Sequence, residues 1–300
     1  MFKISGFFDE ASLSLDKQIK LAKYLNCSYM CPRVINKKNI SEYSSEEFSS
    51  SVWKTLTDAN IKFSSIGSPI GKISINDDEA YENQIKKLKE LVKICNITEC
   101  QYIRCFSFFD CDTQDESVFS RIVEKWKGFL SVVEGSNIIL IHENEKKIYG
   151  DIPERVLKLY HALAHPKFKL CFDASNYIQC GVDPYLAYEM TKEFTVYYHM
   201  KDCDRGVEVP LGLGSGRIFE ILKDLKLRNY DGFLTLEPHT AKYALLKRLI
   251  ALIPFMAFSK FGRVFKKIDK SMGIRRFQKV TRWDVFVWQY EKLTSMLLNI

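Results

Sequence analysis

The 300-residue chain predicts an α/β fold, a single (β/α)8 TIM barrel with a C-terminal helical, basic and apolar extension. Three observations predict it. Apolar runs and amphipathic segments alternate eight times with short connections, which implies a parallel sheet, and eight such units imply closure. Four consecutive later runs end in a carboxylate or an imidazole, at the strand ends where barrels carry their working groups. The length suits one barrel plus an extension, and 46% hydrophobic with 27% charged residues suits one large core.

Taken in order, residues 2–8 form the first strand, apolar and ending in Asp9-Glu10. Ser14 is placed to cap a helix with Ile19, Ala22 and Leu25 on its apolar face. Residues 28–33 form the second strand and end in Arg33. Ser45 opens a helix whose apolar positions are Phe48, Val52, Leu56 and Ala59. The third strand, 61–66, runs into Gly67-Ser-Pro-Ile-Gly-Lys72, and a long amphipathic helix covers 77–95. The fourth strand, 101–106, carries Arg104 inside it; a helix covers 117–133. The fifth strand, 137–141, has no polar residue after Asn137 until His142, and then Glu143, Asn144 and Glu145 arrive together. A run apolar on both faces is what a parallel strand covered on both sides requires.

The second half keeps this rhythm. Pro153 sits in the first turn of a helix to 164, where its missing N–H costs nothing. The sixth strand, 168–172, ends in Asp173, and Asp183-Pro184 opens the next helix. The seventh strand, 195–198, ends in His199-Met-Lys201-Asp202, and a helix covers 218–225. The eighth strand, 232–236, ends in Glu237-Pro-His239. Residues 1–240 are thus assigned to the barrel, 241–280 to a helical insertion, and 281–300 to a closing helix with Trp283, Phe286, Tyr290 and Leu293 on one face.

The charge is unevenly placed. Of the net +7, residues 241–300 contribute +10, with 13 Lys and Arg against 3 acids, so residues 1–240 carry −3. That body does not read as a nucleic-acid surface. Nine cysteines without a CxxC pair, and no signal-like apolar run at the start, point to reduced, buried thiols in a cytoplasmic protein. The apolar run 249–258, interrupted by Pro254, is too short to span a bilayer. Leu245, Leu249, Leu252, Phe255, Met256 and Phe258 make the insertion too apolar to lie free in water. Its apolar face is expected to be buried against the barrel mouth or in a homodimer, ahead of contact with an anionic membrane surface.

Glu143, Asp173, His199 and Glu237 end strands five to eight, which are neighbours around the C-terminal rim. Three carboxylates and an imidazole converging there would repel one another without a cation. Oxygen and nitrogen donors of this kind suit one divalent ion, Mn²⁺ or Mg²⁺ first, with Co²⁺ and Zn²⁺ as alternatives. Singly, Asp173 could cap a turn, His199 could be a core histidine, and Glu237 could pair with a lysine; four in register favour the metal. Arg33, Lys72 and Arg104 lie at or near strand ends, where they can meet an anionic substrate group or form ion pairs. Lys201 shares a strand face with His199. The loop Gly212-Leu-Gly214-Ser-Gly216 has the composition of a phosphate cradle, although a flexible rim loop accounts for it better. No Rossmann-type glycine fingerprint opens a helix, so no redox cofactor is expected.

The motifs His142-Glu-Asn-Glu145, Asp173-Ala-Ser-Asn176, His199-Met-Lys-Asp202, Pro210-Leu-Gly-Leu-Gly214 and Gly232-Phe-Leu-Thr-Leu-Glu237-Pro-His carry a resemblance. Together with Ile4-Ser-Gly-Phe and Ser68-Pro-Ile-Gly-Lys72, they make residues 1–240 resemble the sugar-phosphate isomerase/epimerase group of xylose isomerase-like barrels. That group includes ketose 3-epimerases, hydroxypyruvate isomerase and inosose dehydratase, and is related to endonuclease IV-type AP endonucleases. The resemblance implies one divalent metal on Glu143, Asp173, His199 and Glu237, with Glu143 and Glu237 also moving the substrate proton. A metal on a ketose carbonyl stabilises the enediolate formed when the α-proton leaves. Returning the proton to the opposite face epimerises; moving it between carbons isomerises. Arg33, Lys72, Arg104, Asn176, Lys201 and Asp202 are the expected substrate contacts. Asn176 stands where many epimerases have a histidine, and Met30-Cys31-Pro-Arg33 where a glutamate is common. The expected partner is a small sugar or sugar phosphate. The rival readings are a degenerate barrel that binds a sugar or a protein, an inosose dehydratase-like lyase, and an AP endonuclease-like hydrolase, which would need more histidines on the early strands.

Overall fold

The computed structural model describes residues 2–239, 241–253 and 258–300. Within them each apolar run pairs in parallel with its neighbour, because helices return the chain to the same end of the sheet. The strands are β1 (Lys3–Gly6), β2 (Tyr29–Met30), β3 in two pieces (Lys62–Phe63 and Ile66–Ile70) and β4 (Tyr102–Cys105). They continue with β5 (Ile139–Glu143), β6 (Phe168–Asp173), β7 (Thr195–Met200) and β8 (Phe233–Leu236). From β1 the sheet passes to β8 and back through β7, β6, β5 and β4 to the second piece of β3. The first piece of β3 pairs with β2. The Cys31 N–H donates to the Gly6 carbonyl at 3.0 Å, joining β2 to β1 and completing the ring.

Side chains alternate across each strand, and that period of two sorts the polar ends. The outward residues Leu140, Leu170, Phe172, Tyr198 and Leu234 join the main core with helix residues such as Trp126 and Leu159. The inward residues Ile141, Cys171 and Tyr197 form a separate small core. The same alternation puts Glu143, Asp173, His199 and Glu237 two residues further along the inward rows. His142 belongs to the outward set. Its ring meets Trp126 edge-on at 5.8 Å, and its Nε2 shares a 2.9 Å hydrogen bond with Ser107 Oγ.

Burial pushes the His142 pKa down to about 3, with Glu143 opposing it. The folded ring therefore stays neutral where the unfolded one, at its ordinary 6.5, takes up a proton. Its contribution to stability is full above pH 6.5 and is lost as pH falls toward 3. Between about pH 7.5 and 5 the loss is about 2 kcal/mol. Across this range the chelator-treated parent is expected to lose about that much more stability in urea unfolding than His142→Gln does. An equal drop in the variant would refute the assignment.

Three local features differ from the sequence reading. Strand β3 continues to Ile70, which pairs with Cys105; the pairing is irregular between Ile66 and Ile70, which is where Pro69, lacking an N–H, can sit. The helix opened by Ser45 passes through a π turn at Ser49–Trp53. An additional short helix, Ala174–Gln179, starts directly at Asp173, whose side chain accepts from the Asn176 N–H.

After β8 come the helices Ala241–Leu252, Lys260–Met272 and Arg282–Leu298. In the last of these, Phe286 stacks on Phe8 at 4.7 Å and lies where a side chain on Gly6 would collide with it. The two preceding helices bury Tyr243, Ile250, Val264, Phe265 and Ile268 against Val207, Val209 and Val285. Other apolar side chains of the segment, Leu245, Leu249, Leu252 and Phe258 among them, are exposed in the monomer rather than packed on the barrel mouth. Helix spacing directs one face inward, and this segment is apolar on more than one face. Pro254, Phe255 and Met256 lie outside the described residues. Among the described residues no helix is long and apolar enough to cross a membrane. All nine cysteines are free, and all but Cys111 and Cys180 are buried.

Candidate active site and metal centre

Four consecutive parallel strands deliver the cluster. Register pairs His199 with Asp173 across β7 and β6, and Glu143 with Cys171 across β5 and β6. Glu143, Asp173, His199 and Glu237 are all buried, and each offers a ligand atom within 4.8 Å of the others. The His199 Nδ1 is the point of convergence. Glu143 Oε1 lies 3.0 Å from it, Glu237 Oε2 3.4 Å and Asp173 Oδ2 4.0 Å.

Asp173 is divided between two tasks. Its Oδ1 accepts from the Asn176 N–H at 2.9 Å and caps the short helix. Its Oδ2, also buried, is turned into the cluster, where Lys201 Nζ lies 2.8 Å from it. The buried donor set of three carboxylates and one imidazole, with ligand atoms within 4.8 Å of one another, fits a hard divalent ion. The backbone of Asp173 is fixed by Asn144, whose side chain accepts from its N–H and donates to its carbonyl, both at 2.9 Å.

The chain's own cations reach into the same cluster. Arg104 Nη1 donates to Glu143 Oε2 at 3.1 Å and to Glu237 Oε1 at 3.4 Å, and its Nη2 to the Gly67 carbonyl at 3.2 Å. Lys201 Nζ lies 2.8 Å from Asp173 Oδ2 and 3.2 Å from Glu237 Oε2. Electrostatics follow from this wiring. Burial opposes ionisation of Glu143, but His199 and Arg104 outweigh it and hold the carboxyl at about 2. Burial likewise opposes ionisation of Glu237, yet Lys201 and His239 keep it well below the usual range. Asp173 goes the other way: burial pushes it up to about 6, with Lys201 only partly compensating. Two ionised glutamates and one weakly acidic aspartate therefore surround the imidazole.

The six expected substrate contacts separate. Arg33 is at the mouth: it donates to Asp9 Oδ2 at 2.8 Å, to Glu10 Oε1 at 2.7 Å and to Glu237 Oε1 at 3.2 Å, with 23% of its side chain exposed. Arg104 and Lys201 are in the cluster. Asn176 Nδ2 donates to Glu143 Oε1 at 3.2 Å and to the Asn144 carbonyl at 2.9 Å. Lys72 stays on the rim, donating to Glu145 Oε2 at 2.9 Å. Asp202 is not brought to the mouth. Its buried carboxylate accepts from the N–H groups of Cys203, Gly212, Gly214 and Gly216, at 2.8 to 2.9 Å. Three amides of the glycine loop thus hold an internal anion, so the loop expected to be a flexible rim loop is tied down at Asp202.

Asp9, Glu10 and His239 were missed as site residues. His239 Nε2 lies 3.3 Å from both Glu10 Oε1 and Glu237 Oε1. The signal was present in sequence, since all three follow the ends of adjacent barrel strands β1 and β8.

A family model described as xylose isomerase-like TIM barrel matches residues 27–254. The curated 2-epi-5-epi-valiolone 7-phosphate 2-epimerase of an Actinoplanes species is 30% identical over 115 residues, 37% of this chain and 41% of that protein. The chain thus matches less than half the length of this relative. The structure of an L-ribulose 3-epimerase superposes with a TM-score of 0.70 at 14% identity, covering 100% of this chain and 95% of the other. A xylose isomerase domain protein from Planctomyces limnophilus superposes with a TM-score of 0.68 at 17% identity, covering 100% and 98%.

Proposed function

Because the chain belongs to the xylose isomerase-like TIM barrel family, we propose that it is a divalent-metal-dependent isomerase or epimerase of a sugar or sugar phosphate. The observation that carries this reading is the convergence of three buried carboxylate oxygens on His199 Nδ1 at the barrel's C-terminal end. The reaction class is proton transfer beside a carbonyl, through an enediolate. A divalent ion held by Glu143, Asp173, His199 and Glu237 would polarise that carbonyl and stabilise the negative charge that develops. The protein's own groups do the rest. Glu143 and Glu237 are ionised, as a base must be, and one takes the carbon-bound proton while the other returns it. Arg104 touches both carboxylates and fixes their relative position. Asn176 orients Glu143, and Lys201 links Asp173 to Glu237. Arg33, half-buried at the mouth, is the cation best placed to meet a substrate anion.

A second reading, a sugar-binding barrel without turnover, is favoured by one observation: Arg104 and Lys201 already neutralise the acids. Calorimetry on metal-stripped protein separates the two. One divalent ion bound per chain is expected, and none would favour the second reading. Incubation with a panel of ketoses and ketose phosphates in deuterated water is expected to place one solvent deuterium on carbon during turnover. Turnover without any incorporation would replace proton transfer by internal hydride transfer.

A further inference from the structure

Of the twelve large apolar side chains that the described residues expose, seven lie between residues 245 and 277. The most exposed of them are Phe258 at 75%, Leu245 at 71%, Leu252 at 69% and Phe277 at 59%. The same stretch, 241–280, holds eleven Lys and Arg and a single acid, Asp269. That acid is already engaged by the Tyr243 hydroxyl and by Lys247 at 3.3 Å. The barrel body carries a small negative charge, so the molecule is strongly polarised toward this end.

The two kinds of side chain interleave on built structure. In the helix Lys260–Met272, Val264, Phe265 and Ile268 are buried, while Lys266 and Lys270 are exposed on the opposite face and Phe261 is exposed near its start. The buried Lys247 donates to the carbonyls of Arg275 and Arg276, both at 2.9 Å, and pins the following turn to the first helix. On that turn Arg276 lies over the exposed Phe277 ring at 5.2 Å. Exposed leucines and phenylalanines among lysines and arginines match an anionic lipid surface, where apolar groups enter the acyl boundary and cations stay with the headgroups. A second copy of this face would set one strongly cationic surface against another with almost no acid to pair. A nucleic acid would meet the charge but leave the leucines in water.

We propose that 241–280 is a docking surface for anionic phospholipid membranes, holding the barrel at the bilayer by a reversible contact that does not span it. The proposal is independent of the reaction assigned above. It is tested by sedimenting the full chain with vesicles of phosphatidylcholine alone or with about three-tenths phosphatidylglycerol. At about 50 mM salt at least about tenfold more protein is expected on the anionic vesicles, with release at about 0.5 M. Two exposed pairs serve as variants, Lys266→Glu with Lys270→Glu, and Leu252→Ser with Phe258→Ser. Each pair is expected to cut the bound fraction about fivefold or more while leaving the melting temperature and divalent-ion binding unchanged. No pelleting with anionic vesicles at low salt, or equal pelleting with neutral ones, overturns the proposal. So does a stable dimer that Leu252→Ser with Phe258→Ser converts to monomer.

Discussion

Glu143→Gln and Glu237→Gln, each made alone, are expected to lower kcat about a thousandfold or more, because each removes a group that carries the proton in the proposed reaction. Gln keeps the shape and can still accept from Arg104, but it leaves the buried cations one counter-charge short, so both variants are expected to fold and to melt below the parent. The two losses are not expected to multiply in the double variant, since either one interrupts the same transfer. Exchange of the substrate's carbon-bound proton with solvent, measured apart from net conversion, assigns the roles. The variant that lacks the abstracting glutamate loses exchange altogether. The variant that lacks the returning one keeps exchange and loses epimerisation. Either glutamine variant retaining more than about a tenth of parental kcat would remove that glutamate from the proton path.

Asp202→Ala is expected to destabilise the protein by about 3 kcal/mol while leaving the chemistry at the mouth unaltered in kind. Four backbone N–H groups converge on this carboxylate, and Ala leaves them without an acceptor. Burial raises the Asp202 pKa, and the amides of Gly214, Gly216, Cys203 and Gly212 offset part of that rise, so the loop that the carboxylate organises compensates part of the cost of burying it. Side chains on Gly214 or Gly216 would collide with the same carboxylate. Gly216→Ala, whose new methyl would meet chiefly the Asp202 carboxylate, is therefore expected to destabilise in the same direction, and to add little once Asp202 is gone. Urea unfolding of metal-stripped protein measures both. If Asp202→Ala instead raised KM at unchanged stability, the residue would belong to the substrate site after all.

The strand-end acids were legible because the pleat has a period of two. Once Ile141 and Glu143 share a row with Cys171 and Asp173, their faces are set by counting. The roles of their partners were not legible in the same way. Asp202 follows His199 and Lys201 as closely as a site residue should, yet the sequence does not show that a loop ten residues later folds back to occupy its oxygens. Arg104 and Lys201 were visible as cations near strand ends. That they insert between the acids depends on side-chain reach across the barrel axis, which local spacing does not encode. Asp9 and Glu10 were read only as the end of a strand, because their partner Arg33 is distant in sequence and meets them only when the ring closes.

The insertion of Arg104 and Lys201 among the acids has a bearing on how the protein is made. A barrel whose mouth held only carboxylates would be repelled open until an ion arrived, and its folding would wait on metal supply. Here each acid already has a basic neighbour from the same chain, with Arg104 bridging two glutamates and Lys201 bridging Asp173 to Glu237. The newly synthesised polypeptide can therefore reach its finished architecture in a metal-poor compartment. On the proposed reading, loading of a divalent ion would be an exchange of one counter-charge for another within a preformed socket, and it could follow synthesis at any later time.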